Sequence, residues 1–113
     1  MKEIKAIVQP FRAPKIVAAL QQIPELPGVT LSEVHGFGRH RAADAPGTVS
    51  DESVLYVKKA KLEIVVPDKL VEEVLQIIRE NAHTGNPGDG KVFVYSVDDV
   101  LRIRTGERGE EAI

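Results

Sequence analysis

Residues 3–9 alternate, with Ile4, Ala6 and Val8 on one face and Glu3, Lys5, Ile7 and Gln9 on the other. That pattern predicts a half-buried strand, and Pro10 ends it. Ile16, Val17, Leu20 and Ile23 then recur at helical spacing over 13–24, with Pro14 suited to a first turn. Pro24 and Pro27-Gly28 break that helix. A second strand is expected from Val29 to Phe37 and a third from Leu55 to Val66. The third carries Ala60, Leu62, Ile64 and Val66 on one face and Lys59, Lys61, Glu63 and Val65 on the other. Asp68 reads as the N-cap of a second helix, whose stripe is Leu70, Val71, Val74, Leu75, Ile77 and Ile78. Glu72 and Glu73 lie near the positive end of its dipole. A fourth strand follows from Lys91 to Ser96. Asp98-Asp99 suits a turn, and Leu101 to Arg104 alternates once more as a short last strand.

The order β-α-β-β-α-β predicts an α+β, ferredoxin-like sandwich in which two helices cover one face of an antiparallel sheet. The other face would carry Lys5, Ile7, Lys59, Lys61, Glu63, Arg102 and Arg104. That mixture is too charged for a core and too apolar for open water, so it is expected to pack against other subunits around a cleft. Between His40 and Ser53 no period is visible, and a structureless insertion of that length in a small domain marks a functional loop.

Composition narrows the class. The 113 residues suit one domain spanning 1–113. The formal charge is −2, which argues against a general nucleic-acid surface. Cysteine is absent, so disulfides and thiolate metal sites are excluded. No leader or long apolar run is visible, and a cytoplasmic protein without membrane insertion is expected.

Thr84-Gly85-Asn86-Pro87-Gly88-Asp89-Gly90-Lys91 places three glycines within six residues ahead of an apolar run. Such a loop can aim successive N–H groups at an anion. With the Gly36-Phe37-Gly38-Arg39 corner, Lys59, Arg102 and Arg104, it makes a candidate polyphosphate site, because arginine offers a planar fork and lysine a compact charge. A metal site is the second candidate. His35, His40 and His83 are not at helical spacing, but His40 lies near Asp44, Asp51 and Glu52. No nucleophile, base and orienter can be assembled, so the chain is not read as an enzyme.

Four stretches together resemble the PII signal-transduction family. They are Ser32 to Arg39, Lys59 to Asp68, Thr84 to Val94, and Arg102 to Glu110, and Lys2 to Phe11 resembles the family's first strand. The resemblance implies a homotrimer that binds ATP or ADP in clefts between subunits and controls a target protein through a flexible T-loop, here about 38–55. It also implies a B-loop at 84–91 and a C-terminal segment at 102–113. By position, Thr30, Gly36 and Val65 would surround the adenine. Gly38, Arg39, Gly88, Gly90, Lys91, Arg102 and Arg104 would hold the phosphates, with Asp89 also counted among the nucleotide-binding residues. Lys59 would reach the terminal phosphate or a carboxylate of 2-oxoglutarate. Magnesium would accompany the nucleotide.

Two departures stand out. The tyrosine that many relatives have uridylylated falls at Glu52, so no modification is expected there. The glutamine that helps bind magnesium and 2-oxoglutarate falls at His40, and imidazole can ligate a metal but cannot copy an amide. That argues against 2-oxoglutarate sensing and marks a divergent branch. One branch with this B-loop is associated with heavy-metal efflux genes, which implies a metal-ion transporter as the docked partner. The alternative is a trimeric, metal-efflux-associated regulator that ligates metal through His40 and the loop carboxylates.

Overall fold

The computed structural model describes residues 1–37 and 57–113. Its sheet is built from β1 (Lys2–Val8), β2 (Thr30–Gly36), β3 (Val57–Val66) and β4 (Gly90–Ser96). The spatial order is β2-β3-β1-β4, and every pairing is antiparallel. Helices α1 (Ala13–Leu20) and α2 (Val71–Ala82) cover one face. This is the expected ferredoxin-like sandwich.

The register explains the core. Ile4 stands opposite Ile64, Ala6 opposite Leu62, and Val8 opposite Ala60. Each pair shares the helix side because directly opposed residues of an antiparallel ladder point the same way. Ile16 and Leu20 of α1 and Val74, Ile78 and Ala82 of α2 close over them. The core is wholly aliphatic, and no charged residue is buried among the described residues.

The first helix ends at Leu20, four residues before Pro24. The chain nevertheless keeps winding through tighter turns, with Gln22 N–H donating to Ala19 and Ile23 N–H to Leu20. Ile23 therefore still drops into the core, which is why its spacing looked helical.

Asp68 does not cap α2. It lies in a short 3₁₀ turn, Asp68–Leu70, with no side-chain cap. Its carboxylate instead accepts from the Met1 amine at 3.0 Å, which holds it below the usual carboxylate range. A full positive charge outcompetes a backbone N–H for the same oxygen. At the far end of α2, Arg12 Nε donates to the Asn81 carbonyl at 2.8 Å. That satisfies one of the carbonyls a helix terminus leaves open.

The expected last strand is absent. Leu101 makes an isolated bridge to Arg108, and residues 102–107 between them form a tight turn. Arg102 N–H donates to the Glu107 carbonyl and Gly106 N–H to the Arg102 carbonyl. Gly106 has φ +78°, which reverses the chain before a strand can extend. Arg102 and Arg104 therefore stand on a hairpin beyond the sheet, not on its open face.

The open face carries Glu3, Lys5 and Ile7 of β1, Lys59, Lys61, Glu63 and Val65 of β3, and Phe93 and Tyr95 of β4. Phe93 and Tyr95 remain over two-fifths exposed, Lys5 lies over the Tyr95 ring at 5.0 Å, and Lys61 pairs with Glu63 at 3.6 Å.

Candidate functional site

Two groups of predicted residues come together, at opposite ends of the open face. The first surrounds a shallow cleft of 310 Å³ lined by Glu3, Pro27, Gly28, Thr30, Glu63, Val65 and Ile113. Thr30 and Val65 meet here because β2 pairs with β3 so that Thr30 stands opposite Glu63. The volume is at the small end for a ligand pocket. Two carboxylates, a hydroxyl and two branched apolar side chains suit a flat polar ring with hydroxyl or amine donors.

Arg102 stands beside that cleft. Its Nη2 donates to the carbonyl of Ile113 at 3.1 Å, and Ile113 is part of the cleft wall. Its Nη1 meets Glu107 Oε1 at 3.1 Å. Arg104, two residues on, is exposed and makes no hydrogen bond or ion pair among the described residues.

The second group is the glycine loop. Asp89 organises it: its carboxylate accepts from Thr84 N–H at 2.8 Å, from Gly85 N–H at 3.0 Å and from the Thr84 hydroxyl. The Thr84 hydroxyl in turn accepts from Asn86 N–H. These bonds, the Thr84 hydroxyl first, hold the Asp89 carboxyl below its usual range. Asp89 thus shapes the loop from within. Gly88 and Gly90 have φ +95° and +110°, the backbone region that turns N–H groups into a concavity.

Lys59 Nζ donates to the Gly88 carbonyl at 3.1 Å, and Gln9 Nε2 donates to the same oxygen at 2.8 Å. The structure therefore brings Lys59, Gly88, Gly90 and Lys91 to one end of the sheet, with Lys91 opposite Ile7. Gln9 was not singled out in the sequence, since its partner lies 79 residues away. Glu63 and Ile113 were missed for the same reason: only pairing and the folded-back terminus bring them to the cleft.

Gly36 closes β2 opposite Val57. Gly38, Arg39, His40 and Glu52, with all of the 38–55 T-loop stretch, lie outside the described residues. No group of three or more His, Cys, Asp or Glu able to hold a metal occurs among the described residues. No helix among them is long and apolar enough to cross a membrane.

The loop's dependence on Asp89 is testable. A carboxyl with a depressed folded-state pKa contributes in full above its unfolded value, and the contribution is lost as the pH falls through the folded value. The Asp89-linked change in the amide signals of Thr84 and Gly85 is therefore expected only below pH ~4. NMR titration checks this; a midpoint at or above the ordinary aspartate value refutes it.

The arrangement agrees with comparisons of the whole chain. The nitrogen regulatory protein P-II family matches residues 1–107. The chain is 42% identical to the nitrogen regulatory protein P-II of Rhodospirillum rubrum and 43% identical to that of Haemophilus influenzae, each over 113 residues covering all of both chains. A solved structure described as Arabidopsis thaliana PII bound to citrate superposes with a TM-score of 0.80 at 44% identity. It covers 99% of this chain and 91% of that one.

Proposed function

Because this chain belongs to the nitrogen regulatory protein P-II family, a family of signalling regulators and not of enzymes, we propose that it is an adenine-nucleotide sensor. ATP or ADP would bind between subunits and set the conformation of the T-loop, and the T-loop would dock on a target protein. Membrane transporters are the targets to test first, as the B-loop's resemblance to the efflux-associated branch implies.

One observation carries this reading. Val65, with Thr30, lies at one end of β3 and Lys59, with the glycine loop, at the other. Six residues of strand separate them by ~20 Å. A base seated on Thr30 and Val65 cannot place its phosphates on Gly88, Gly90 and Lys91 of the same chain. Each site is complete only when one subunit supplies Thr30, Val65 and Arg102 and a neighbour supplies Lys59 and the B-loop. The half-apolar open face, with Phe93 and Tyr95 uncovered, supports a trimer that closes over it.

In such a site the B-loop N–H groups and Lys91 would meet phosphate oxygens, and the Arg102 guanidinium would close the other side. Magnesium would accompany the nucleotide and offset part of the phosphate charge. ATP and ADP differ by the group nearest Lys59, and only that difference in affinity between loop states can move the T-loop.

Calorimetric titration with ATP and ADP, with and without magnesium and 2-oxoglutarate, tests the reading. Saturable binding of both nucleotides at about one per chain is expected, with no strengthening of ATP by 2-oxoglutarate. Absence of binding by either nucleotide would overturn it.

A further inference from the structure

We infer that Glu107 is a positioning residue that holds the Arg102 guanidinium at the rim of the Thr30–Val65 cleft. The inference rests on the nucleotide reading above and assigns a role to a residue that contacts no ligand itself.

The geometry is that of a built support. Glu107 Oε1 accepts from Arg102 Nη1 at 3.1 Å and from the Thr105 hydroxyl at 2.8 Å. Thr105 also accepts from Glu107 N–H at 3.2 Å, so the carboxylate is oriented before arginine meets it. The backbone fixes the two residues face to face: Arg102 N–H reaches the Glu107 carbonyl at 2.9 Å. On the other side, Nη2 donates to the carbonyls of Ile113 at 3.1 Å and Glu111 at 3.5 Å. The hairpin is clamped at its base by Asp99, which accepts from Arg108 Nε at 2.8 Å, from Val100 N–H at 2.9 Å and from Gly109 N–H at 3.1 Å.

A guanidinium has five N–H donors. Three bonds, one to Glu107 and two to the C-terminal turn, leave it able to meet an anion, while the freedom of a long side chain has already been lost on folding. Binding then costs less ordering. Exposed Arg104 makes the contrast, since it has no such support among the described residues. The carboxylate also offsets part of the positive charge, so a helpful Glu107 must act through orientation.

Calorimetry of Glu107→Ala and Glu107→Gln with ATP and with adenosine separates these effects. Glu107→Ala is expected to weaken ATP about fivefold and to leave adenosine within about twofold, because only the phosphates need Arg102. Glu107→Gln keeps an acceptor for Nη1, so it is expected to bind ATP as wild type does or slightly better. Melting curves identify a variant that merely fails to fold, in which case the glutamine variant decides. Tighter ATP binding by Glu107→Ala overturns the inference, because Glu107 would then be masking Arg102. Equal losses for ATP and adenosine, or equal losses in both variants, also overturn it. A wild-type protein that binds neither ligand refutes the nucleotide reading itself and the inference with it, whereas wild-type binding with an unaffected Glu107→Ala refutes the inference alone.

Discussion

Gly90→Ala is expected to destabilise the fold by about 3 kcal/mol or more. A Cβ at this position would lie 1.8 Å from the Ile7 carbonyl oxygen and 2.9 Å from the Ile7 carbonyl carbon. Both atoms are backbone, so no side chain can rotate away. Relief requires β4 to part from β1, and this is where the β1–β4 ladder begins, with Gly90 opposite Val8. The backbone at Gly90 also has φ +110°, which alanine adopts only with strain. Chemical denaturation checks this. A midpoint within about 0.5 M urea of wild type would show that the strand end yields without cost. Gly106 and Gly109, which have no heavy atom within 4 Å of such a Cβ, are the controls: alanine there meets backbone strain alone.

The second large effect concerns assembly. Lys91→Ala and Arg102→Ala are each expected to weaken ATP about 10- to 100-fold, the range for removing a charged hydrogen-bond partner. If each site takes Lys91 from one subunit and Arg102 from its neighbour, the two defects lie on opposite sides of every interface. A ring of three with both kinds of subunit then always contains one interface with both residues intact. Unfolding and refolding the two variants together should restore about one site in four. Neither variant alone should show any such site. A calorimetric titration that finds no tight sites in the mixture, although mass measurement shows mixed trimers, would place both residues in the same chain's site and refute the composite cleft.

Much of this was legible in the sequence, and the reasons differ by residue. The strands could be read because Ile4, Ala6 and Val8 alternate with Lys5 and Ile7, and a half-buried sheet demands that period. Thr30 and Val65 could be placed at one cleft and Lys59 near Gly88 by resemblance, and the structure brings each pair together. Asp68 was misread because an aspartate after a proline before a helix is a common cap, and nothing local announces that the Met1 amine will reach it. Leu101 to Arg104 was misread because four alternating residues fit a hairpin arm as well as a strand. Only Gly106 distinguishes them, by turning the chain back. Gln9, Glu63 and Ile113 carry no local signal at all, since what gives them their place is pairing across the fold.

The aliphatic core has a consequence for how this protein can be watched. It contains no aromatic ring among the described residues, and the chain has no tryptophan. Tyr95 instead stands on the open sheet face beside Lys5. Its emission and near-ultraviolet dichroism are therefore blind to whether α1 and α2 sit on the sheet. They respond to what covers the opposite face. Backbone dichroism and the Tyr95 signal, isolated by a Tyr56→Phe substitution, recorded on one dilution series thus separate two events that a single probe would merge: the loss of the folded chain and the parting of one copy from another.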